Sequence, residues 1–202
     1  MAKLTYQRTV VGYHGCDMAV AANVVAGSVQ LKPSANPYDW LGGGIYFWEH
    51  GPRRAYEWAV EHARVLGAKL KQPAVLAAEI NLGFCLDLLD TANTRLLRNA
   101  YFEFRHSMRR NGISMPRNRD APGTRRGDRV LRFRDCAVID FTLSSLAEME
   151  PNEYQTVRGV FIEGEPAFPG SKVALKSHIQ IAVRDPACIA GLFRPDPAEY
   201  KE

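Results

Sequence analysis

Two short segments constrain this chain more than anything else in it: Tyr13-His14-Gly15, and further on Gly42-Gly43-Gly44-Ile45-Tyr46-Phe47. The first sets an imidazole beside a residue without a side chain, so a flat amide can reach the backbone at Gly15. The second enters an aromatic strand through a permissive glycine turn and puts a phenol at Tyr46. Either segment alone is commonplace. Together they describe a hydrogen-bonding imidazole, an accessible backbone amide and a ring on which to stack. That set suits a ligand made of a ribose and a flat carboxamide ring, as in nicotinamide riboside, the reactive half of NAD. The expectation is geometric: the rings of His14 and Tyr46 stand on opposite walls of one crevice.

The rest of the pattern supplies a scaffold. Leu4–Val11 alternates and reads as a first strand with the His-Gly pair at its exit. Asp17 is placed to cap an alanine-rich helix running to Val25, closed by Gly27. Two prolines punctuate a loop over 32–37, and Ile45–Trp48 forms a short strand. Pro52 then opens a helix whose small and aromatic residues, Ala55, Trp58, Ala59 and Ala63, recur at helical spacing. Ala74–Leu82 reads as a buried strand ended by Gly83. Leu88–Met108 reads as a helix with Leu96, Leu97, Ala100 and Phe104 on one apolar stripe, and Cys136–Leu146 as another. Strands over Val157–Glu163 and Ile179–Val183 flank a Gly/Pro-rich loop at 164–170. This order predicts an α+β chain rather than a doubly wound sheet.

At 202 residues a single domain, 1–202, is the expectation. Hydrophobic residues make up 46% and charged residues 24%, the balance of a globular protein with a core to bury. No apolar run is long enough to span a bilayer, and Met1–Thr9 lacks the apolar centre of a secretory signal. Cys16, Cys85, Cys136 and Cys188 lie too far apart for a zinc pattern, so buried thiols in a reducing cytoplasm are expected, with no metal and no membrane.

On these segments the chain resembles the ADP-ribosyltransferase superfamily, on its poly(ADP-ribose) polymerase-like and diphtheria-toxin-like side. That branch carries a His-Gly pair, a GxGIYF-type segment and a late strand with a catalytic Glu, in that order. Here the first is His14-Gly15, and the second is Gly42 to Phe47, followed by a helix with the small residue Ala55. Ala74–Gly83, Val157-Arg158-Gly159 and Ser177–Val183 look like the strands that complete the set. The resemblance spans about residues 5–195, with an unmatched Arg-rich insert at about 95–135. It implies two packed, mostly antiparallel sheets that form a split NAD-binding cleft, flanked by helices. It also implies roles. His14 would bond ribose hydroxyls, Gly15 would pair with the carboxamide, and Gly44, Tyr46, Tyr56 and Trp58 would border the nicotinamide. His14, Tyr46 and the late-strand position would be catalytic.

The departure falls at that late-strand position, where Gln180 stands in place of a Glu. A Gln keeps an acceptor oxygen but carries no charge to stabilise an oxocarbenium. Losing one charged, preorganised stabiliser costs on the order of 3–4 kcal/mol of barrier. The resemblance therefore implies single ADP-ribose transfer from NAD to a macromolecule rather than chain building, in an intracellular toxin or phage-defence effector. Glu163 and Glu165, an ExE pair before the last strand, form an alternative catalytic loop, and His178 shares a strand face with Gln180. Rival outcomes are a catalytically silent NAD or ADP-ribose-binding module, an NAD glycohydrolase, and a relative of the RNA 2′-phosphotransferases.

Each residue also has a packing alternative. His14 can end a strand, Tyr46 can sit half in the core, and Tyr56 and Trp58 can simply face a helix inward. Asp39 and Trp40 read as loop anchors, with Asp39 as a second ribose contact. The stretch from Arg105 to Arg134 holds ten arginines against two aspartates, beyond what solubility needs. Arg117, Arg119, Arg125, Arg126 and Arg129 are its candidate target-binding side chains, on a loop expected to be mobile. Arginine in preference to lysine favours bidentate phosphate contacts, which places a nucleic-acid acceptor, RNA included, ahead of a protein one. An acidic, antitoxin-like inhibitor is another partner such a patch fits, and the NAD pyrophosphate a third that needs only one or two of its arginines.

Overall fold

A computed structural model describes residues 5–65, 69–149 and 153–201. It is a mixed α+β structure built on one six-stranded sheet with four α-helices. The elements are β1 (Thr5–Asp17), α1 (Met18–Val25), β2 (Ile45–Glu49), α2 (Pro52–Ala63), β3 (Pro73–Asp87), α3 (Thr91–Arg110), α4 (Phe133–Met149), β4 (Thr156–Phe161), β5 (His178–Val183) and β6 (Ile189–Phe193). The strand order is β1-β2-β5-β4-β3-β6, and β1 also pairs with β3. That extra pairing rolls five strands into a closed ring, with β6 on the outer edge of β3. Every neighbouring pair is antiparallel except β3 with β4. Two packed sheets were the expectation; a single sheet curls on itself instead, because β3 is long enough to hold β1 on one side and β6 then β4 on the other.

Several boundaries move. β1 does not stop before the His-Gly pair but carries it inside the strand, since β3 pairs with it as far as Asp17↔Pro73. β3 runs on through Gly83, where the chain kinks (φ 56) around the Gln155 side chain. α3 begins at Thr91, because the Asp90 carboxylate accepts the Ala92 N–H and caps it there. The sequence pattern missed β6, a short Ile-Ala-Gly-Leu-Phe segment without alternation. Asp17 caps α1 as expected and also takes the backbone N–H groups of Lys71 and Gln72, which fixes where strand becomes helix. Three such donors hold its carboxyl below the usual range.

Inside the ring, one end is apolar and the other ionic. Val10, Ile45, Phe47, Ala78, Ile80, Leu82, Ile181 and Val183 fill the first. Burying a side chain such as Phe47 contributes about 1.5–3 kcal/mol. At the second end Arg158 of β4 donates to Glu49 of β2 at 2.5 and 2.9 Å and to Asp87 of β3 at 3.1 and 3.3 Å. All three residues are buried, so the guanidinium ties together three strands of the ring. Outside, α3 and α4 cover one face through Leu41, Leu86, Ile139 and Leu143, and α2 covers another through Ala55, Trp48 and Val75. The four cysteines are buried and free.

Arg158→Met leaves two buried carboxylates without their counter-charge. We expect it to lower the unfolding free energy by about 3–5 kcal/mol, read by urea denaturation, with Arg8→Ala at the exposed rim of the same network changing it little.

Candidate functional site: a split between β1 and β2

The ladder between β1 and β2 is short. Gly12 pairs with Glu49 and Tyr13 with Trp48, and there it ends. In the same register the next hydrogen-bonded pair would be Gly15 with Tyr46. That pair does not form, because the His14 imidazole occupies the acceptor: its Nδ1–H donates to the Tyr46 carbonyl at 2.8 Å. A side chain thus takes the acceptor that a backbone partner would use, and the ladder ends there.

The direction of the freed groups follows from strand alternation. The Val11 carbonyl accepts from His50 N–H on the β2 side, and Met18 N–H donates to Gln72 on the β3 side. Odd positions of β1 therefore face β2 and even positions face β3. The N–H and C=O of Gly15 consequently point into the gap, while its register partner on β3, Val75, belongs to a non-bonded pair. Gly15 has a packing reason as well. A Cβ there would collide with the Ala55 carbonyl and lie 3.2 Å from the Trp58 ring, so only glycine lets α2 close over this edge.

With Nδ1–H committed to a carbonyl, His14 Nε2 is the bare acceptor of the ring. Burial lowers the pKa of this imidazole, against the opposing pull of the Tyr46 carbonyl, so it is neutral at pH 7. Its ring packs against Phe47 at 5.8 Å.

Tyr46 is half-buried, and its hydroxyl is already engaged. It donates to the Gly42 carbonyl at 2.8 Å and accepts from Leu41 N–H at 2.9 Å, so the phenol staples the glycine turn. Burial pushes its pKa far up. Gly42 sits at φ +77 with the Asp140 carboxylate where a Cβ would go, and Gly44 pairs with Ser34 through both backbone bonds. The Tyr46 ring packs against the cluster around Leu41 and Ile139, and its hydroxyl is committed to the turn.

Gln180 lies on the same sheet face. In register Trp48 stands opposite it on β2 and Gly159 opposite it on β4, while Tyr46 pairs with Ala182. Tyr46 and Gln180 are therefore diagonal neighbours, about 7–8 Å apart by strand geometry. Gln180 is buried, and its Oε1 accepts from the Trp40 indole at 2.6 Å. The sequence pattern marked Trp40 as a loop anchor only; its link to Gln180 depends on folding the loop back over Gly159, whose Cβ position it occupies. His178 shares this face, stacked on Phe161 at 5.5 Å, with Nδ1–H donating to the Lys176 carbonyl and its pKa lowered by burial.

Of the remaining candidates, Trp58 and Glu163 border this region and the others lie apart from it. Trp58 stacks on His62 at 3.8 Å beside Gly15, and Tyr56 packs on Tyr200. Glu163 pairs with Arg54 at 3.0 Å and Glu165 with Arg125 at 2.8 Å. Arg119 lies over the Phe133 ring, and Arg117, Arg126 and Arg129 are exposed. The loop that carries them is braced by hydrogen bonds to its own aspartates. Asp120 accepts from Gly127 and Arg129 N–H, and Asp128 accepts from Gly164 N–H at 3.0 Å. Asp39, the second ribose candidate, binds Ser34 Oγ and Asn36 N–H within its own loop.

No protein-family model, curated protein or solved structure matches this chain. Among the described residues no helix is long and apolar enough to cross a membrane, and no three His, Cys, Asp or Glu side chains gather as a metal site.

Two histidines with lowered folded pKa values make a signed pH prediction. The unfolded chain takes up protons near the ordinary imidazole value of 6.5, while the folded chain resists them, so stability falls as pH drops below that value. The urea midpoint should decline between about pH 6.5 and 5, above the range of the carboxylates, and His14→Gln with His178→Gln should flatten that decline. A decline of unchanged size in the double variant would assign it to other groups.

Proposed function

We infer that this chain is an NAD-dependent mono-ADP-ribosyltransferase with its nicotinamide site in the gap between β1 and β2. The single observation that carries the reading is the Gly15 edge. A backbone N–H and C=O, side by side and released from the β2 ladder, match the C=O and NH₂ of a primary carboxamide. The bare Nε2 of His14 is then an acceptor for a ribose hydroxyl, and the Tyr46 ring a surface for the pyridine.

Chemistry follows from position. The bond between the ribose anomeric carbon and the nicotinamide nitrogen breaks, and its electron pair neutralises the pyridinium. An acceptor nucleophile on a macromolecule closes onto the oxocarbenium carbon and loses a proton. Gln180 Oε1 has one lone pair left beyond Trp40, enough to hold the 2′-hydroxyl, and brings a dipole in place of a charge. Glu163 and Glu165 serve as ion-pair anchors for α2 and the arginine loop in this reading. A nucleic-acid acceptor stays ahead of a protein one. The neutral amide at position 180 also favours one rival, a module that binds NAD without turning it over.

Incubation with NAD labelled on its adenylate half, with and without cell lysate, separates the readings. We expect nicotinamide release and label in nuclease-sensitive material. His14→Ala should reduce release by about 100-fold or more, and Gln180→Ala should reduce it further than Glu163→Ala or Glu165→Ala. Measurable NAD binding with no nicotinamide under any condition establishes the silent module; a fully active His14→Ala removes the site assignment altogether.

A further inference from the structure

Helix α3 carries two faces of opposite character. Its inner face is spent on packing: Ala100 is buried, Leu96 and Leu97 join the cluster around Leu41 and Ile139, and Phe104 meets Phe141 of α4 at 5.3 Å. The outer face holds Arg95, Arg98, Phe102, Arg105 and Arg109. These are three or four residues apart along the helix, the spacing that lines side chains up in one seam. The seam runs for about 21 Å at 1.5 Å per residue. All five residues are exposed, and none of the four arginines forms an ion pair among the described residues.

Phe102 is the anomaly. It is 50% exposed at the centre of a row of cations, where a polar residue would cost nothing. Its ring is not loose, since Tyr101 meets it edge-on at 5.4 Å. Beside it His106 and Arg110 line a groove of about 560 Å³ with Glu103, Ser107 and Asn111. An aromatic ring flanked on both sides by unpaired guanidinium groups is the arrangement that takes one stacked base and the phosphates on either side of it.

We propose that the outer face of α3, with Phe102 at its centre and Arg95, Arg98, Arg105 and Arg109 along it, is a docking surface for single-stranded nucleic acid. Arginine forks suit phosphate oxygens, and an exposed ring can stack only on a base that is not already paired. A membrane surface fits less well, because the apolar side of this helix is already buried against α4 and one phenyl ring is all that remains to insert. The candidate target-binding arginines of the neighbouring loop are a separate set; Arg125, for one, is engaged with Asp128 and Glu165. The surface stands independently of the NAD reading, since it lies on other residues and its test contains no NAD.

The experiment is fluorescence anisotropy of the full chain with a fluorescein-labelled, mixed-sequence single strand, as RNA and as DNA, from about 50 mM to about 200 mM salt. Phe102→Ala should weaken binding by about 5- to 150-fold, the range of one lost base stack. Arg98→Ala and Arg105→Ala should each lower the salt slope by about 0.7. Arg53→Ala, an exposed arginine on α2, should change nothing. Circular dichroism of each variant shows that the fold is intact, as expected for exposed positions. Equal binding of Phe102→Ala and the parent, equal affinity for the matching duplex, or binding to phosphatidylserine vesicles that the single strand does not displace would each overturn the proposal.

Discussion

One hydrogen bond decides the shape of the candidate site: His14 Nδ1–H on the Tyr46 carbonyl. An imidazole in that position takes the acceptor that Gly15 N–H would otherwise use, and the β1–β2 ladder ends two pairs in. Everything proposed for the gap depends on this substitution of side chain for backbone. Were the ladder to continue, Gly15 would be an ordinary strand residue with both groups satisfied, and no amide would have anywhere to go. The same bond sets the His14 tautomer, leaving Nε2 as the acceptor, and burial keeps the ring neutral enough to act as one.

The gap needs walls that do not yield. On one side β3 holds β1 along nearly its whole length, and α2 presses close over Gly15. On the other side the Tyr46 hydroxyl locks the glycine turn while Trp40 bridges to Gln180. Below, the ion pairs of Arg158 with Glu49 and Asp87 close the ring of strands. The buried network draws together β2, β3 and β4, so its loss is expected as instability rather than as lost chemistry. Tyr46 holds the turn through its oxygen while its ring packs against the cluster around Leu41 and Ile139; a binding role for that ring belongs to the proposal, and burial alone does not separate it from a core role.

Much of this was legible in the residues. The α+β class, the capping of α1 by Asp17, the start of α2 at Pro52 and the strand after the glycines follow from local rules of caps, turns and alternation. What failed to show was non-local. The two-sheet arrangement came with the resemblance, and nothing in the sequence of β3 says that it will hold three neighbours. Gly83 looked like a terminus because a kink and an end share the same residue. Trp40 and Gln180 are far apart in sequence, and only folding brings the indole to the amide. The arginines of 105–134 drew attention as a run, whereas the seam on α3 became visible only once the helix bounds and its buried face were known, because Arg95, Arg98 and Phe102 precede the run. The loop arginines, in turn, looked free in sequence, yet Asp120 and Asp128 organise the backbone around them.

The Gly15 edge as a carboxamide partner is the decisive feature of the proposed site. The direct measurement is the amide resonance of Gly15 in isotope-labelled protein during titration with nicotinamide and, separately, nicotinic acid. A saturable shift of the Gly15 N–H is expected with nicotinamide, absent or far weaker with the acid, whose carboxylate has no donor for the Gly15 carbonyl. A Gly15 signal unmoved by nicotinamide, or moved alike by both compounds, would contradict that pairing.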